Sequence, residues 1–442
     1  MIIQGGTLVT SEGLLRADIQ IEEGIIQAIA PELTGSPTLN ATGLHIFPAT
    51  IDVHLHFNEP GRTDWEGAAT GSRALAAGGG AMFFDMPLNS TPCTVNAAEF
   101  DRKHAALQQS SIADFGIWGG IIPGNHGEMA ELAERGVVGF KAFMSDSGLP
   151  EFPRADDLTL YEGFSEAARL GSLVAVHAES EDLTKQLGAR FTAQGRHSIQ
   201  SFLASRPVIA ELEAISRATL FAQETHARLH IVHISCGRGV VLAAEARARG
   251  VDVSIETCPH YLSFTEEDLE RLGALAKCAP PLRNKAHQNE LWNQVTNGTV
   301  DIVASDHSPA PPDMKSGDFT KAWGGIASVQ STLAVLLTRG HWERGLPLQR
   351  IAQLLATNPA KRFRIPRRGA LLTGNYADLT LVDLTGHSQL TPDTMAHRHP
   401  ITPYANEFFR GTIRRTIRRG EIIFADGNFP PATPGRLIQP ER

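Results

Sequence analysis

Two histidines one residue apart, His54 and His56 in DVHLHF, begin a set of six polar side chains that recur at matching places along the chain. The others are Lys141 in GFKAFM, His177 in VHAE, His233 in HIVHIS and Asp306 in ASDHS, each embedded in or closing an apolar run. On an extended strand, residues i and i+2 project from the same face, so His54 and His56 can reach one ion together. Imidazole and carboxylate ligands of this kind suit zinc or a neighbouring transition metal. A lone strand-end histidine is more often a hydrogen-bonded core residue than a ligand. Six such residues at corresponding strand ends instead favour a joint site. Lys141 fits a structural role poorly, because its neighbours are apolar and lysine is almost never fully buried unless paired.

The elements that must position these groups are eight strand-like runs: 45–57, 81–87, 114–122, 137–144, 172–179, 229–235, 251–258 and 301–307. Segments with helical apolar spacing, such as AELEAISRATLFAQETHA, separate them. Eight alternating units with near-continuous apolar strands predict a parallel (β/α)8 TIM barrel, in which the strand C-terminal ends converge on one mouth. A doubly wound open sheet is the alternative, weakened by the lack of G-x-G-x-x-G after any strand. Short strands with turn punctuation mark both chain ends, including the hairpin TIRRTIRRGEIIFADG with Gly420 at its turn. The expected organisation is a composite β domain, a small sandwich, from residues 1–49 plus 366–442, and a catalytic barrel over 50–365.

Composition narrows the partners. With 442 residues the chain is long enough for two or three domains. Gly 41 and Pro 26 stay well below the ~25–30% combined content of low-complexity disorder. Lys plus Arg 40 against Asp plus Glu 48 gives a formal charge of -8, which argues against nucleic acid. Arg410, Arg414, Arg415, Arg418 and Arg419 crowd the C-terminal hairpin and read as a solvated strand face. Four scattered cysteines without a C-x-x-C pair fit a reducing cytoplasm. The N-terminus lacks signal-peptide features, and the longest mostly apolar stretch, Ile326 to Leu337, is too short to span a membrane.

The ordered motifs PATIDVHLHFNEPG, MPLNSTP, GFKAFMSDSG, VHAE, HIVHIS, ETCPHYL, KCAPPLR, SDHSP and AWGGIASVQ resemble the amidohydrolase superfamily across nearly the whole chain. The branch they resemble is that of the cyclic amidohydrolases: dihydroorotases, hydantoinases and allantoinases. The resemblance implies two divalent metal ions, zinc by default, with iron, cobalt, nickel or manganese able to use the same ligands. His54, His56 and Asp306 are implied to hold one ion, and His177 and His233 the other. Lys141 is implied to bridge both as N6-carboxylysine, a carbamate formed with carbon dioxide. A homotetramer is the implied assembly.

Departures from each pattern indicate the substrate. Dihydroorotases carry an arginine and a histidine for the substrate carboxylate where this chain has Asn58 and Ala310. Hydantoinases and dihydropyrimidinases place a tyrosine where this chain has Asp146. Asn58, Asn89, Cys278 and Trp323 match the allantoinase pattern. The implied substrate is allantoin, a small neutral cyclic amide, opened by a metal-bridged hydroxide with Asp306 as general base and then acid. Asn58, Asn89 and Cys278 are candidate substrate contacts, against turn formation for the asparagines and plain packing for Cys278. His260 and His307 are expected to serve hydrogen bonding or loop structure. A hydantoinase-type or dihydroorotase activity is the enzymatic alternative, and a non-catalytic scaffold of the same superfamily is the other.

Overall fold

The computed structural model describes residues 1–441. Eight parallel strands form the barrel: Thr50–Leu55, Gly80–Asp85, Asp114–Ile117, Phe140–Phe143, Leu173–His177, Arg228–Ile231, Val253–Thr257 and Ile302–Val303. The third is interrupted at Trp118 and resumes as Gly119–Gly120, which pairs with the fourth. The Trp118 indole is fully buried and donates to the Val53 carbonyl at 3.0 Å, tying this break to the first strand. The ring closes where the His56 N–H donates to the His307 carbonyl at 2.8 Å, beside a parallel bridge between Leu55 and His307.

The run 45–57 is not one strand. His45–Pro48 pairs antiparallel with Leu379–Val382 in the β domain, and only Thr50–Leu55 enters the barrel. Pro48 has no N–H to extend a ladder, so the chain changes sheets across Ala49.

Helices cover the barrel with side-chain caps at several starts. Asn96 accepts from the Glu99 N–H ahead of Ala97–Ser110, Asp156 from Thr159 ahead of Asp157–Arg169, and Asn284 from His287 ahead of Lys285–Thr296. After the fifth strand two additional helices, Glu181–Ala193 and Ile199–Ser205, precede the barrel helix Val208–Thr225. This insertion contributes to the wall over the barrel mouth and to a chain longer than the ~250 residues typical of the fold.

The β domain is a sandwich of a four-stranded and a six-stranded sheet. Its core holds Ile3, Leu8, Ile19, Ile26, Ile46, Leu379, Leu381 and Ile417, drawn from both chain ends. The hairpin Phe408–Arg418/Glu421–Ala425 turns at Gly420, whose φ of 75° is left-handed. Its arginines do not all face solvent. Arg418 is fully buried, Arg419 Nε donates to Asp114 Oδ2 at 2.9 Å, and Arg368 reaches the same carboxylate at 2.5 Å. Asp114 lies on the third barrel strand, so the buried cluster joins the two domains. The chain then runs back to the barrel, where Leu437 bridges Phe115. Among the described residues no helix is long and apolar enough to cross a membrane.

Candidate active site

All six chemistry-bearing residues converge at the barrel mouth. His54 lies within the first strand and His56 just beyond it, while His177 ends the fifth strand. His233 and Asp306 fall past the ends of strands six and eight, with φ of 41° and 45°. Left-handed backbone at non-glycine residues is uncommon and here re-aims two side chains inward. Lys141 sits inside the fourth strand, so its long side chain must span the distance to the mouth.

The Nε2 atoms of His54 and His56 lie 3.2 and 3.7 Å from the same Asp306 oxygen, Oδ1. His54 Nδ1 donates to Glu256 Oε1 at 2.8 Å, and His56 Nδ1 donates to the Leu88 carbonyl at 3.4 Å. With the Nδ1 atoms committed to those partners, both Nε2 atoms are aimed at one carboxylate oxygen, a convergent nitrogen and oxygen donor set of the kind that holds a divalent cation. The second cluster has the same logic: His177 Nε2 donates to Glu179 Oε2 at 2.9 Å, leaving Nδ1 facing His233 Nε2 at 3.0 Å. Lys141 Nζ is buried with no hydrogen-bond partner, 4.9 Å from the Phe143 ring, and His233 Nδ1 is also unpartnered. These nitrogen and oxygen donors, converging but unsatisfied, fit divalent metal ions.

Burial lowers the Lys141 amine to about 7, against the opposing pull of Asp306 and Glu256. A neutral amine is the form that can add carbon dioxide. Burial acts to raise the Asp306 carboxyl, but His54, His56 and His233 outweigh it and hold the group below the ordinary carboxylate range. Asp306 is therefore ionised near neutrality.

Glu179 and Glu256 are functional groups that sequence reasoning missed. Both are fully buried, and each accepts a hydrogen bond from one ring nitrogen of a candidate ligand, His177 for Glu179 and His54 for Glu256, which fixes how that imidazole is oriented. Glu256 also accepts the His233 N–H at 3.1 Å and pairs with His230 at 3.0 Å. Arg206 holds Glu179 at 2.5 Å. Each could have been found by strand parity: Glu179 is two residues after His177, and Glu256 stands near the end of the one strand among strands four to eight that supplied no candidate.

A cavity of about 510 Å³ opens over the site, lined by His54, His56, His177, His233, Asp306 and, farther out, Trp323. Asn89 and Cys278 reach its wall; Asn58 does not. Asn58 is buried, left-handed at φ 61°, and donates at 3.5 Å to the Pro309 carbonyl beyond the eighth strand, with its Oδ1 buried and unpartnered. Asn89 donates to Ser308 Oγ at 3.3 Å. Burial pushes the Cys278 thiol up to about 12, so it is no nucleophile. Ala310 is buried and Asp146 lines the cavity, so the positions that separate the branches lie in or near the site.

The wall segment 322–325 is fixed by two lysines with no carboxylate partner. Lys277 Nζ donates to the carbonyls of Phe319 and Ala322, both at 2.7 Å, and of Thr320 at 3.2 Å. Lys315 Nζ donates to Ala274 at 3.3 Å, Trp323 at 3.0 Å and Gly325. Gly325 has no room for a side chain: a Cβ there meets the Ser308 carbonyl oxygen at 2.4 Å.

Residues 45–423 match the family model of the amidohydrolase family. The chain is 61% identical over 442 residues to an allantoinase of Solibacter usitatus, covering all of this chain and 97% of that protein. It is 51% identical over 443 residues to an allantoinase of Deinococcus radiodurans, covering all of this chain and 98% of the relative. Among solved structures, the L-hydantoinase (dihydropyrimidinase) of Arthrobacter aurescens superimposes with a TM-score of 0.96 at 32% identity, over 99% of both chains. The (β/α)8 barrel with its β-sandwich, the convergent histidines and these likenesses lead to one conclusion: the chain belongs to the amidohydrolase family, in its branch of allantoinases and hydantoinases.

Proposed function

We propose that this protein hydrolyses the ring amide of allantoin to give allantoate. The observation that carries the reading is the likeness of the whole chain to allantoinases, at 61% identity in one case. The site chemistry is consistent with it. Neutral Asn58 and Ala310 stand where dihydroorotases carry an arginine and a histidine for the substrate carboxylate, and Asp146 occupies the position of the hydantoinase tyrosine.

His54, His56 and Asp306 are assigned to one divalent ion, and His177 and His233 to the other. Lys141, as N6-carboxylysine, is assigned between them, which gives its unpartnered nitrogen a role. Zinc is the proposed metal, with iron, cobalt, nickel or manganese compatible with the same donors. When bound, such ions polarise the scissile carbonyl and lower the pKa of water. Asp306, kept ionised and reaching the cavity, takes the proton of the attacking water and delivers it to the leaving ring nitrogen. Glu179 and Glu256 hold the imidazoles of His177 and His54 in the tautomers this requires. Asn89 and Cys278 form part of the substrate wall. The four cysteines are free and buried, which supports a reducing, cytoplasmic setting, and a homotetramer is the proposed assembly.

A hydantoinase activity is the second reading, favoured by the close superposition on the Arthrobacter enzyme. Assay of the purified protein with allantoin, dihydroorotate, dihydrouracil and hydantoin side by side tests both. Preferential opening of allantoin is expected; an untouched allantoin with another ring opened overturns the proposal.

A further inference from the structure

A second group of metal-ligating side chains lies against the first. Cys258 follows the seventh barrel strand, and His260 is the second residue of the short helix Pro259–Ser263. One ligand atom each from Cys258, His260 and Asp306 lie within 4.8 Å of one another. Cys258 and His260 are both fully buried, yet neither ring nitrogen of His260 has a hydrogen-bond partner. A buried imidazole with two unmet polar atoms, beside a thiol and a carboxylate, is the donor set of a thiophilic ion. Zinc ligands lie roughly 2.0–2.3 Å from the ion, which sets them about 3.3–3.8 Å apart, so side-chain rotations that draw these atoms in by about 1 Å complete the site. Asp306 is the member common to both clusters, and through it the second one touches the cavity.

We propose that Cys258, His260 and Asp306 form an additional binding site for a thiophilic divalent cation, zinc or cadmium, and that filling it inhibits the enzyme by drawing Asp306 away from its substrate-side position. Binding replaces the Cys258 S–H bond with a metal–sulfur bond; the proton leaves to solvent, and nothing is oxidised or reduced. His260 contributes a neutral nitrogen and Asp306 a carboxylate oxygen. The metal binding itself is independent of the proposed substrate, and only its inhibitory consequence rests on the role given to Asp306.

Sulfur provides a selective readout, because the six residues assigned to the primary ions include no thiolate. Cadmium added to the metal-loaded enzyme is expected to produce an ultraviolet thiolate-to-cadmium absorption band and to raise the metal content by one ion per chain. Allantoin turnover should fall roughly tenfold or more as Asp306 is withdrawn. Cys258→Ser and His260→Gln should each lose the extra ion and resist the inhibition, each compared with its own cadmium-free activity; Cys278→Ser should keep the band. A wild-type enzyme that gains no band or no extra ion overturns the site, as does a band that survives Cys258→Ser. If the wild type fails to open allantoin at all, the proposed substrate is wrong, while the band and the metal content still decide the site.

Discussion

The carboxylate of Glu256 lies 2.8 Å from Nδ1 of His54, so a residue on the seventh barrel strand fixes which nitrogen a histidine on the first strand turns toward the site. The same oxygen accepts the His233 main-chain N–H at 3.1 Å, linking both metal-facing clusters to one acid. Glu256→Gln replaces half of that acceptor with a donor. Metal affinity is expected to drop ~10–100-fold, as for other carboxylates behind ligating histidines. Competition with a chelator measures it, and unchanged affinity contradicts the role.

Lys141 Nζ is buried with no hydrogen-bond partner, its contact being the Phe143 ring. Its assignment as an anionic bridge predicts that Lys141→Ala loses at least one metal ion per chain by elemental analysis. Retention of two ions at full occupancy is the contrary result.

Lys315 ties the wall segment 322–325 to Ala274, donating to the Trp323, Gly325 and Ala274 carbonyls, and touches no group assigned to catalysis. Lys315→Met leaves those acceptors without their donor, and the wall loosens around the substrate. A buried acceptor left unsatisfied costs ~1–3 kcal/mol, so KM for allantoin should rise about tenfold. The kcat should change much less, because the metal ligands stay in place. A fall in kcat with KM unchanged would show that the segment serves the chemical step instead.

Asp114 joins the domains as a fully buried carboxylate facing Arg368 and Arg419, with Arg418 at the edge of its reach. Asp114→Asn removes the carboxylate that Arg368 and Arg419 share, while Arg368 keeps Asp378 and Arg418 keeps Glu421, at a cost of ~1–3 kcal/mol. A lower midpoint in urea unfolding is the expected outcome. A midpoint equal to wild type would mean that the arginines find other acceptors.

Much of this was legible in the sequence because it rests on repetition and parity. Eight apolar runs separated by helical segments describe a barrel, and His54 with His56 declare a shared face by their spacing. Glu179 and Glu256 escaped because a single acid near a strand end carries no periodic signature until its histidine partner is placed in space. The break at Pro48 was visible as a residue type, but the partner strand that claims His45–Pro48 lies more than 330 residues away. Arg418 shows the limit of charge counting: it is buried against the Ile112 carbonyl and Thr433 as well as its hairpin neighbour Glu421, contacts that its place in an arginine-rich hairpin does not reveal. Asn58 matched a family string, yet its side chain is turned to the Pro309 carbonyl and does not line the cavity.

The central claim is that Asp306 carries the proton in metal-assisted opening of the allantoin ring. Turnover of Asp306→Asn on allantoin, measured on protein whose metal content has been restored to the wild-type value, tests it most directly. The account predicts a fall in kcat of roughly 10²–10⁴-fold with KM changed only a few-fold. Near-normal turnover at matched metal content would contradict it.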